Sequence, residues 1–416
     1  MKFVRTGFVV FFLALLVHPE AARSAEKEKK PFTQYWMSVA TLNQTIPGMS
    51  PEEMSGIGGF MGKMMGGPSF GPRRELLLQL NSPQQVPSEP HATHDIPPGQ
   101  NMGKTLPLMI PEQVKPEQHE DAERPPMEKP KVRMLIYWGC SEEVKKGQPR
   151  VIDTDKMAPA EFDKVFAGRG PSPQYPPRPR KGWIYADWPN KKNRVEAPKE
   201  SSLQGEHFVH GNYMPDVKFS IDPRHDFMAP VEFTSVKGGL SESIRFQWRE
   251  VPTAIGYFAQ AMAHNEKTGE TIFWSSSEIP DIGFGLLDYL SSGDVRRFIK
   301  EKVVMDPKTT SCTIPRGIFK DTGGSALQLI GYGEDLFAEY PPKPKDPKEP
   351  WNLIWSARVR LKTTGMTMLA EAGEQRPSRA KEKPQTKDEE TKPQESEKKQ
   401  EEGPNPLKKL KGIFGF

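Results

Sequence analysis

Residues 178–194 bring cationic side chains and aromatic rings together in one short segment. Cationic groups that alternate with flat aromatic faces can hold an anionic polymer or a sugar polymer through ion pairing and stacking. The same composition is also typical of an edge strand that ends in a solvated basic turn. We keep both interpretations, and the candidate binding residues are Arg178, Arg180, Lys181, Trp183, Tyr185, Trp188, Lys191, Lys192 and Arg194.

No sequence motif indicates covalent or acid–base catalysis. We find neither a serine in a nucleophile-elbow sequence nor a cysteine with a nearby basic partner. Ser396 and Lys399 have a Ser-x-x-Lys spacing, but they lie in a strongly charged segment. We therefore name no catalytic residue and no cofactor, and we predict that the protein is not an enzyme. The alternative is an envelope hydrolase whose catalytic residues are scattered along the sequence.

Potential metal ligands occur in small, isolated groups. Thioethers suit Cu(I) outside the cytoplasm, and paired histidines can bind a metal when a turn brings them together. Residues three apart on a strand point to opposite faces, which argues against the second histidine pair. We predict no metal site and keep copper handling through the Met-rich loop as a second alternative. The groups are Met61, Met64 and Met65; His91, His94 and Asp95; and His207 with His210.

The beginning of the chain predicts export. Lys2 and Arg5 precede an apolar run from residue 7 to 17, which is too short to cross a bilayer of roughly 30 Å as a helix. Residues 1–25 are therefore predicted to be a cleavable signal peptide. We expect the mature protein in the periplasm or elsewhere in a bacterial cell envelope, where its partner is an unidentified envelope protein or polysaccharide.

Cys140 and Cys312 are the two cysteines of the chain. In an oxidising compartment they can form a lasting disulfide, and the alternative is two separate thiols that are buried as small hydrophobic groups. A disulfide would close a loop of about 170 residues, for which the chain-entropy model gives on the order of 5 kcal/mol as an upper figure. Such a bond would connect the two halves of the folded region.

The charged residues are nearly balanced over the chain. Lys and Arg number 58 and Asp and Glu number 54, so no field of one sign favours a nucleic-acid partner. Residues 369–416 are predicted to be a disordered charged tail, because they contain too few apolar residues to offset the entropy of ordering. The tail ends in LKKLKGIFGF (407–416), which predicts a weak contact with an anionic membrane surface.

Alternating apolar and polar residues predict a mainly β fold of antiparallel sheets. Between the predicted strands, residues 48–72 are rich in Gly and Met and residues 83–131 are rich in Pro, which predicts two linkers. Prolines leave few positions in the second linker for a strand, so we expect it to be extended and solvated. The predicted strands cover residues 33–41, 74–80, 132–138, 217–221, 244–248, 257–263 and 353–361.

Residues 243–278 contain a strand that ends at Trp248, a turn at residues 251–254 and a strand that begins at Tyr257, and in this order they resemble a fibronectin type III module. In this comparison Trp248 is similar to the core tryptophan of the family, and the turn at residues 251–254 leads into a strand that begins at Tyr257. The resemblance implies a β-sandwich over residues 228–368, preceded by a β-rich N-terminal region over 26–227. A helical pattern at 286–303 predicts a helix inserted into that sandwich, which the family lacks.

The chain also contains a wider set of short motifs, namely WGC at 138–140, GEH at 205–207, GNY at 211–213, DFM at 226–228 and TSCTIP at 310–315. Together they resemble an uncharacterised family of exported bacterial proteins. That resemblance implies no chemistry, since no activity is attached to the family. We therefore predict a non-enzymatic exported protein of the cell envelope with a binding or scaffold role.

Overall fold

A computed structural model of the chain describes residues 30–45, 71–111, 132–157, 170–190, 196–283 and 285–371, and these residues form a mainly β fold. Several sequence predictions fall outside these ranges. They are the signal peptide (1–25), most of the Gly/Met-rich linker (48–72), the second part of the Pro-rich linker (112–131) and the tail from residue 372 with its basic apolar end (407–416).

Seventeen strands and one α-helix lie in the described residues. Strands β1, β2, β5, β9, β11, β12 and β17 confirm the seven strands predicted from the sequence. In chain order the elements are β1 (Thr33–Thr45), β2 (Gly71–Ser82), β3 (Ala92–Asp95), β4 (Thr105–Leu108), β5 (Arg133–Trp138), β6 (Arg150–Asp153), β7 (Ile184–Trp188), β8 (Gly205–Gly211), β9 (Val217–Ile221), β10 (Phe233–Lys237), β11 (Ile244–Trp248), β12 (Ala254–Asn265), β13 (Glu270–Ser275), α1 (Ser292–Lys300), β14 (Ser311–Ile314), β15 (Ser325–Gly333), β16 (Leu336–Tyr340) and β17 (Trp355–Leu369).

The largest sheet contains ten strands in the order β6-β5-β13-β12-β15-β17-β1-β2-β7, with β16 also paired to β17. Most neighbouring strands are antiparallel, but β1 runs parallel to β17 and β5 runs parallel to β13. Strands from the N-terminal region thus extend both sides of the C-terminal strands. The boundary that we placed between residues 227 and 228 is therefore not a break in the sheet.

Two smaller sheets pack against one face of the large sheet, which we call its inner face. Sheet β10-β11-β14 lies over β12 and β13, where the rings of Trp248 and Tyr257 are 5.6 Å apart. Sheet β4-β3-β8-β9 lies over β1, where the rings of Tyr35 and Phe219 are 6.1 Å apart. One continuous hydrophobic core fills the space between the layers. Burying this apolar surface is the main favourable term for the fold.

Helix α1 covers part of the opposite, outer face of the large sheet. Its Val295 and Phe298 pack with Phe258 of β12 in a second, smaller core. A Cβ atom at Gly256 would lie 2.9 Å from Val295, so glycine allows the helix to approach β12 closely. The helix falls within the predicted range 286–303. No helix in the described part of the chain is long and apolar enough to cross a membrane.

The Pro-rich segment differs from its prediction as a solvated linker. In its described part, residues 83–111, it forms β3 and β4 and buries Leu106 and Leu108. Pro107 lies in β4, which is the edge strand of its sheet. An edge strand has a side on which a missing N–H group costs no ladder hydrogen bond, so proline is tolerated there. The proline content alone was therefore a poor guide to this segment.

A disulfide joins Cys140, which follows β5, to Cys312 in β14. The Ser141 N–H also donates to the Thr313 carbonyl oxygen at 3.0 Å. Because β5 belongs to the ten-stranded sheet and β14 to the three-stranded sheet, the disulfide connects two layers of the fold. It spans 172 positions of sequence.

We expect the double variant Cys140→Ser and Cys312→Ser to lose about 2–5 kcal/mol of unfolding free energy, because the crosslink restricts the unfolded chain. Urea unfolding of the variant and of the oxidised wild type measures this loss. Mass analysis of unreduced wild-type protein after alkylation is the companion test, and two modified thiols would contradict the disulfide.

Candidate binding face

The outer face of the large sheet carries polar, cationic and aromatic side chains between β7 and β16. The inner-facing neighbours Leu78, Trp188 and Val359 are buried in the core. Residues that pair directly across neighbouring strands lie on the same face of a sheet. The pairing registers therefore define one row across five strands, formed by Asp187, Gln79, Trp36, Arg358 and Phe337.

Cations and rings alternate in the middle of this face, and we call the group the cation–aromatic ladder: Phe337, Arg358, Trp36, Arg360, Tyr289 and Lys362. The guanidinium carbon of Arg358 lies 4.7 Å from the centre of the Trp36 ring and 4.6 Å from that of Phe337. The guanidinium carbon of Arg360 lies 5.3 Å from Trp36 and 4.2 Å from Tyr289. These separations are within the range of cation–π attraction.

Carboxylates pair with the two outer cations of the ladder. An Nη2 atom of Arg358 lies 2.5 Å from Asp335 Oδ2, and Lys362 Nζ lies 2.7 Å from Asp288 Oδ1. Partial burial raises the pKa of Asp288, but the hydrogen bond and charge of Lys362 outweigh burial and leave that pKa below its ordinary value. The side chains of Arg358 and Asp335 are both largely buried, so their ion pair is held away from water.

Arg360, the middle cation, has no carboxylate oxygen within 4.0 Å among the described residues. Its Nε donates to Ser38 Oγ at 2.8 Å, and the whole residue is only 9% exposed. Burial lowers the pKa of Arg360, although the nearby Tyr289 and Asp288 partly oppose that effect. Burial likewise raises the pKa of Tyr289. The centre of the ladder therefore holds an enclosed positive charge that rings, rather than acids, surround.

A segment that we call the strap, residues 170–183, crosses the outer face next to the ladder. At its start the Ser172 N–H and hydroxyl each donate to the Asp294 carboxylate of α1 at 2.9 Å. Further along, the side-chain amides of Gln79 and Asn81 in β2 donate to strap carbonyl oxygens at 3.0 and 3.2 Å. The strap is thus hydrogen-bonded to the helix at one end and to the sheet at the other.

Four of the predicted binding residues lie together at the end of the strap. Arg178, Arg180 and Lys181 are exposed, and Trp183 is half-buried. The Arg180 guanidinium carbon lies 3.2 Å from the centre of the Trp183 ring, so the cation and ring are stacked. This short segment therefore carries three exposed cationic residues and one half-buried aromatic ring.

The other five predicted residues are placed differently. Tyr185 lies on the outer face and donates to Asp187 Oδ2 at 3.0 Å, and burial raises its pKa to about 12. Trp188 points to the inner face and is 1% exposed, so we withdraw it from the binding residues. Its position follows from strand alternation, because Tyr185 and Asp187 project from one side of β7 and Ile184, Ala186 and Trp188 project from the other. Outside the described residues lie Lys191, Lys192 and Arg194.

A second cluster of titratable groups, which the sequence did not predict, lies between β1 and the four-stranded sheet. Tyr35 Oη lies 2.9 Å from His94 Nδ1, and His94 Nε2 lies 2.8 Å from His207 Nδ1. His207 Nε2 in turn lies 2.7 Å from the Leu203 carbonyl oxygen. The three side chains are buried. We call these residues the histidine relay.

The direction of each hydrogen bond in the relay follows from its last acceptor. The Leu203 carbonyl oxygen can only accept, so His207 Nε2 donates and its Nδ1 is free to accept from His94. His94 Nδ1 then accepts from the Tyr35 hydroxyl. Burial lowers the pKa values of His94 and His207 and raises that of Tyr35, so all three groups are neutral at pH 7. Both rings are then satisfied without a charge.

The relay replaces the histidine pairs that sequence spacing suggested. His207 and His210 point to opposite faces of β8, and His210 Nε2 lies 3.2 Å from Asp95 Oδ2 on the outside. No group of three His, Cys, Asp or Glu side chains in the described ranges is arranged to hold a metal ion. The methionines of residues 61–65 lie outside those ranges.

Comparisons with known proteins add no assignment to this face. No protein-family model matches the chain, and searches of curated proteins and of solved structures also found no match. The interpretation of the face therefore depends on its own geometry.

The two tryptophans of the predicted segment should differ in their effect on stability. We expect Trp188→Ala to cost about 3–5 kcal/mol of unfolding free energy, because it removes a fully buried indole from the core. Trp183→Ala should cost about 1 kcal/mol or less, because the ring lies on the strap surface. Urea unfolding of both variants measures the difference, and equal losses would contradict their placement on opposite faces.

The histidine relay predicts a loss of stability in acid. The pKa values of His94 and His207 are lowered in the folded state, so below about pH 6.5 the unfolded chain binds more protons and the folded state is disfavoured. Each histidine contributes a slope of at most about 1.4 kcal/mol per pH unit, reached where it is protonated in the unfolded chain and neutral in the folded state. His94→Gln should remove one such slope from the stability curve between pH 7 and 5.

His210→Gln is the matched control for this measurement, because His210 lies half-exposed on the other face of the same sheet. Chemical unfolding at several pH values gives the stability curves. Identical curves for the wild type and His94→Gln, after allowance for the offset at pH 7, would rule out the relay as the source of acid sensitivity.

Proposed function

We propose that this chain is a non-enzymatic exported protein of the bacterial cell envelope that binds an anionic polysaccharide through the end of its strap. The observation that carries the proposal is the stack of Arg180 on Trp183, beside the exposed Arg178 and Lys181. A sugar ring can stack on the indole while its acidic groups pair with the cations.

The attachment of the strap supports a binding role. Hydrogen bonds to Asp294, Gln79 and Asn81 hold the strap in one position before any ligand arrives. A binding surface that is already ordered loses less conformational entropy when it binds, and this raises its affinity. The histidines of the relay are buried, so they are not available to a substrate, and we favour binding over hydrolysis.

The proposal includes a fibronectin type III-like sandwich over residues 228–368 as the supporting scaffold. Its support is that three strands, β10-β11-β14, face four strands, β13-β12-β15-β17, with antiparallel pairing inside both groups. Two facing antiparallel sheets with seven strands are typical of this architecture. In this scheme α1 is an insertion between β13 and β14, and the N-terminal strands are additions to the edges.

Export stays part of the proposal, and the disulfide between Cys140 and Cys312 supports it, since such bonds persist in oxidising compartments. In the same scheme the segment 407–416 adds a weak contact with an anionic membrane surface through its lysines. The proposed partner is therefore an acidic polymer of the envelope, near a membrane.

Binding to polygalacturonate, with neutral dextran as the comparison polymer, tests the proposal. We expect the wild type to bind the acidic polymer and not the neutral one, with binding that weakens as salt increases. Trp183→Ala and Arg180→Ala should each weaken binding about tenfold, because stacking on an aromatic ring contributes about 1–3 kcal/mol.

Arg249→Ala is the matched control, since it removes one exposed arginine that pairs with Glu232 elsewhere on the surface. If this control weakened polymer binding as much as Arg180→Ala does, the loss would follow from net charge alone and would contradict a binding site on the strap. Cleavage of the polymer by the wild type would contradict the non-enzymatic role.

A further inference from the structure

The cation–aromatic ladder contains more hydrogen-bond donors than the protein satisfies. Arg360 has one acceptor among the described residues, the Ser38 hydroxyl oxygen, which leaves its two terminal nitrogens without a protein acceptor. Arg358 pairs with Asp335 through Nη2, but its Nε is buried without a partner. An unsatisfied buried donor such as Arg358 Nε is unfavourable, and native structures rarely contain one.

Arg358 and Arg360 are also near enough to interact electrostatically. Arg358 and Arg360 are alternate residues of β17, so both project from the outer face, and their Cα atoms are about 7 Å apart along the strand. Their like charges repel, and this repulsion contributes to the lowered pKa of Arg360. An anionic group beside both arginines would offset the repulsion and accept the free N–H groups of Arg360.

Aromatic faces surround the same two arginines. Trp36 contacts both guanidinium groups, and Tyr289 and Phe337 lie on the far sides of Arg360 and Arg358. Phe337 is 59% exposed, so one side of the ladder is open to solvent. Paired guanidinium groups suit a carboxylate, and an exposed ring suits the apolar face of a sugar.

We propose that Arg358 and Arg360 form a subsite for the carboxylate of a uronic-acid sugar, with Phe337 stacked on the sugar ring. The inference rests on the proposed function, because it names the acidic sugar within the polysaccharide that the strap would bind. The strap end and this subsite lie on one face of the sheet, separated by β1 and β2, at roughly 14 Å for three strand spacings. One polymer chain can therefore contact both.

Binding of digalacturonate to the full chain, measured by calorimetry at low salt, tests this subsite separately from the strap. We expect Arg360→Gln to bind the disaccharide at least tenfold more weakly than the wild type does. Arg360→Gln should lose far more affinity for the disaccharide than Trp183→Ala does, whereas Trp183→Ala should lower the affinity for polygalacturonate. The matched control is Arg249→Gln, which should change neither.

Phe337→Ala is the second variant, because its exposed side chain can be removed even if Arg360→Gln does not fold. It should weaken disaccharide binding several-fold. The subsite would be overturned if both single variants, Phe337→Ala and Arg360→Gln, bound digalacturonate as the wild type does. If Arg360→Gln does not fold, unchanged binding by Phe337→Ala is sufficient to overturn it. So would equal binding of a neutral disaccharide, or stronger binding of pyrophosphate, which would assign the arginines to phosphate groups.

The results separate the two proposals. A wild type that binds polygalacturonate but not digalacturonate would leave the strap proposal standing and remove the subsite. If the wild type binds digalacturonate and Trp183→Ala binds polygalacturonate as tightly as the wild type does, the subsite proposal stands and the strap proposal is contradicted. Failure to bind either ligand would remove both.

Discussion

The alternation of side chains along β17 is the constraint on which the rest of the structure depends. This strand of 15 residues pairs with β1, β15 and β16 near the middle of the ten-stranded sheet. Its inner side chains, such as Val359 and Leu361, enter the core. Arg358 and Arg360 alternate with them along the strand and therefore project from the outer face. Their long side chains lie against the rings of Trp36, Phe337 and Tyr289, and the ladder is the consequence of this placement.

Much of the strand content could be predicted from the sequence, because a half-buried strand shows its two faces directly in its residues. β11 and β17 have that pattern, and β9 was placed with its observed bounds. β3 and β4 were missed because proline content dominated the interpretation of their segment, whereas an edge strand accepts Pro107. Strand order was not accessible, since pairing between distant segments is not encoded in local periodicity.

The candidate site was only partly predictable for the same reason. Arg178, Arg180, Lys181 and Trp183 are neighbours in sequence, so their composition was visible. The ladder joins residues from four distant parts of the chain, and the alternating cations of β17 by themselves indicate only a solvated face. The relay likewise unites His94 and His207, whereas spacing had suggested His207 with His210. Contacts that tertiary structure creates leave no local signal.

The parallel pairing of β1 with β17 has a consequence for how the chain reaches its native state. Arg360 and Ser38, which meet in this pair, are 322 positions apart. Strand β1 can therefore pair with β17 only after almost all of the other described strands have been synthesised. Contacts between such distant segments form slowly, because closing a long loop costs conformational entropy before the contacts contribute any stabilisation. Because β1 also pairs with β2, its antiparallel side can be filled early, whereas its parallel side stays open until β17 is present. The ten-stranded sheet is therefore completed by the last strand of the described chain.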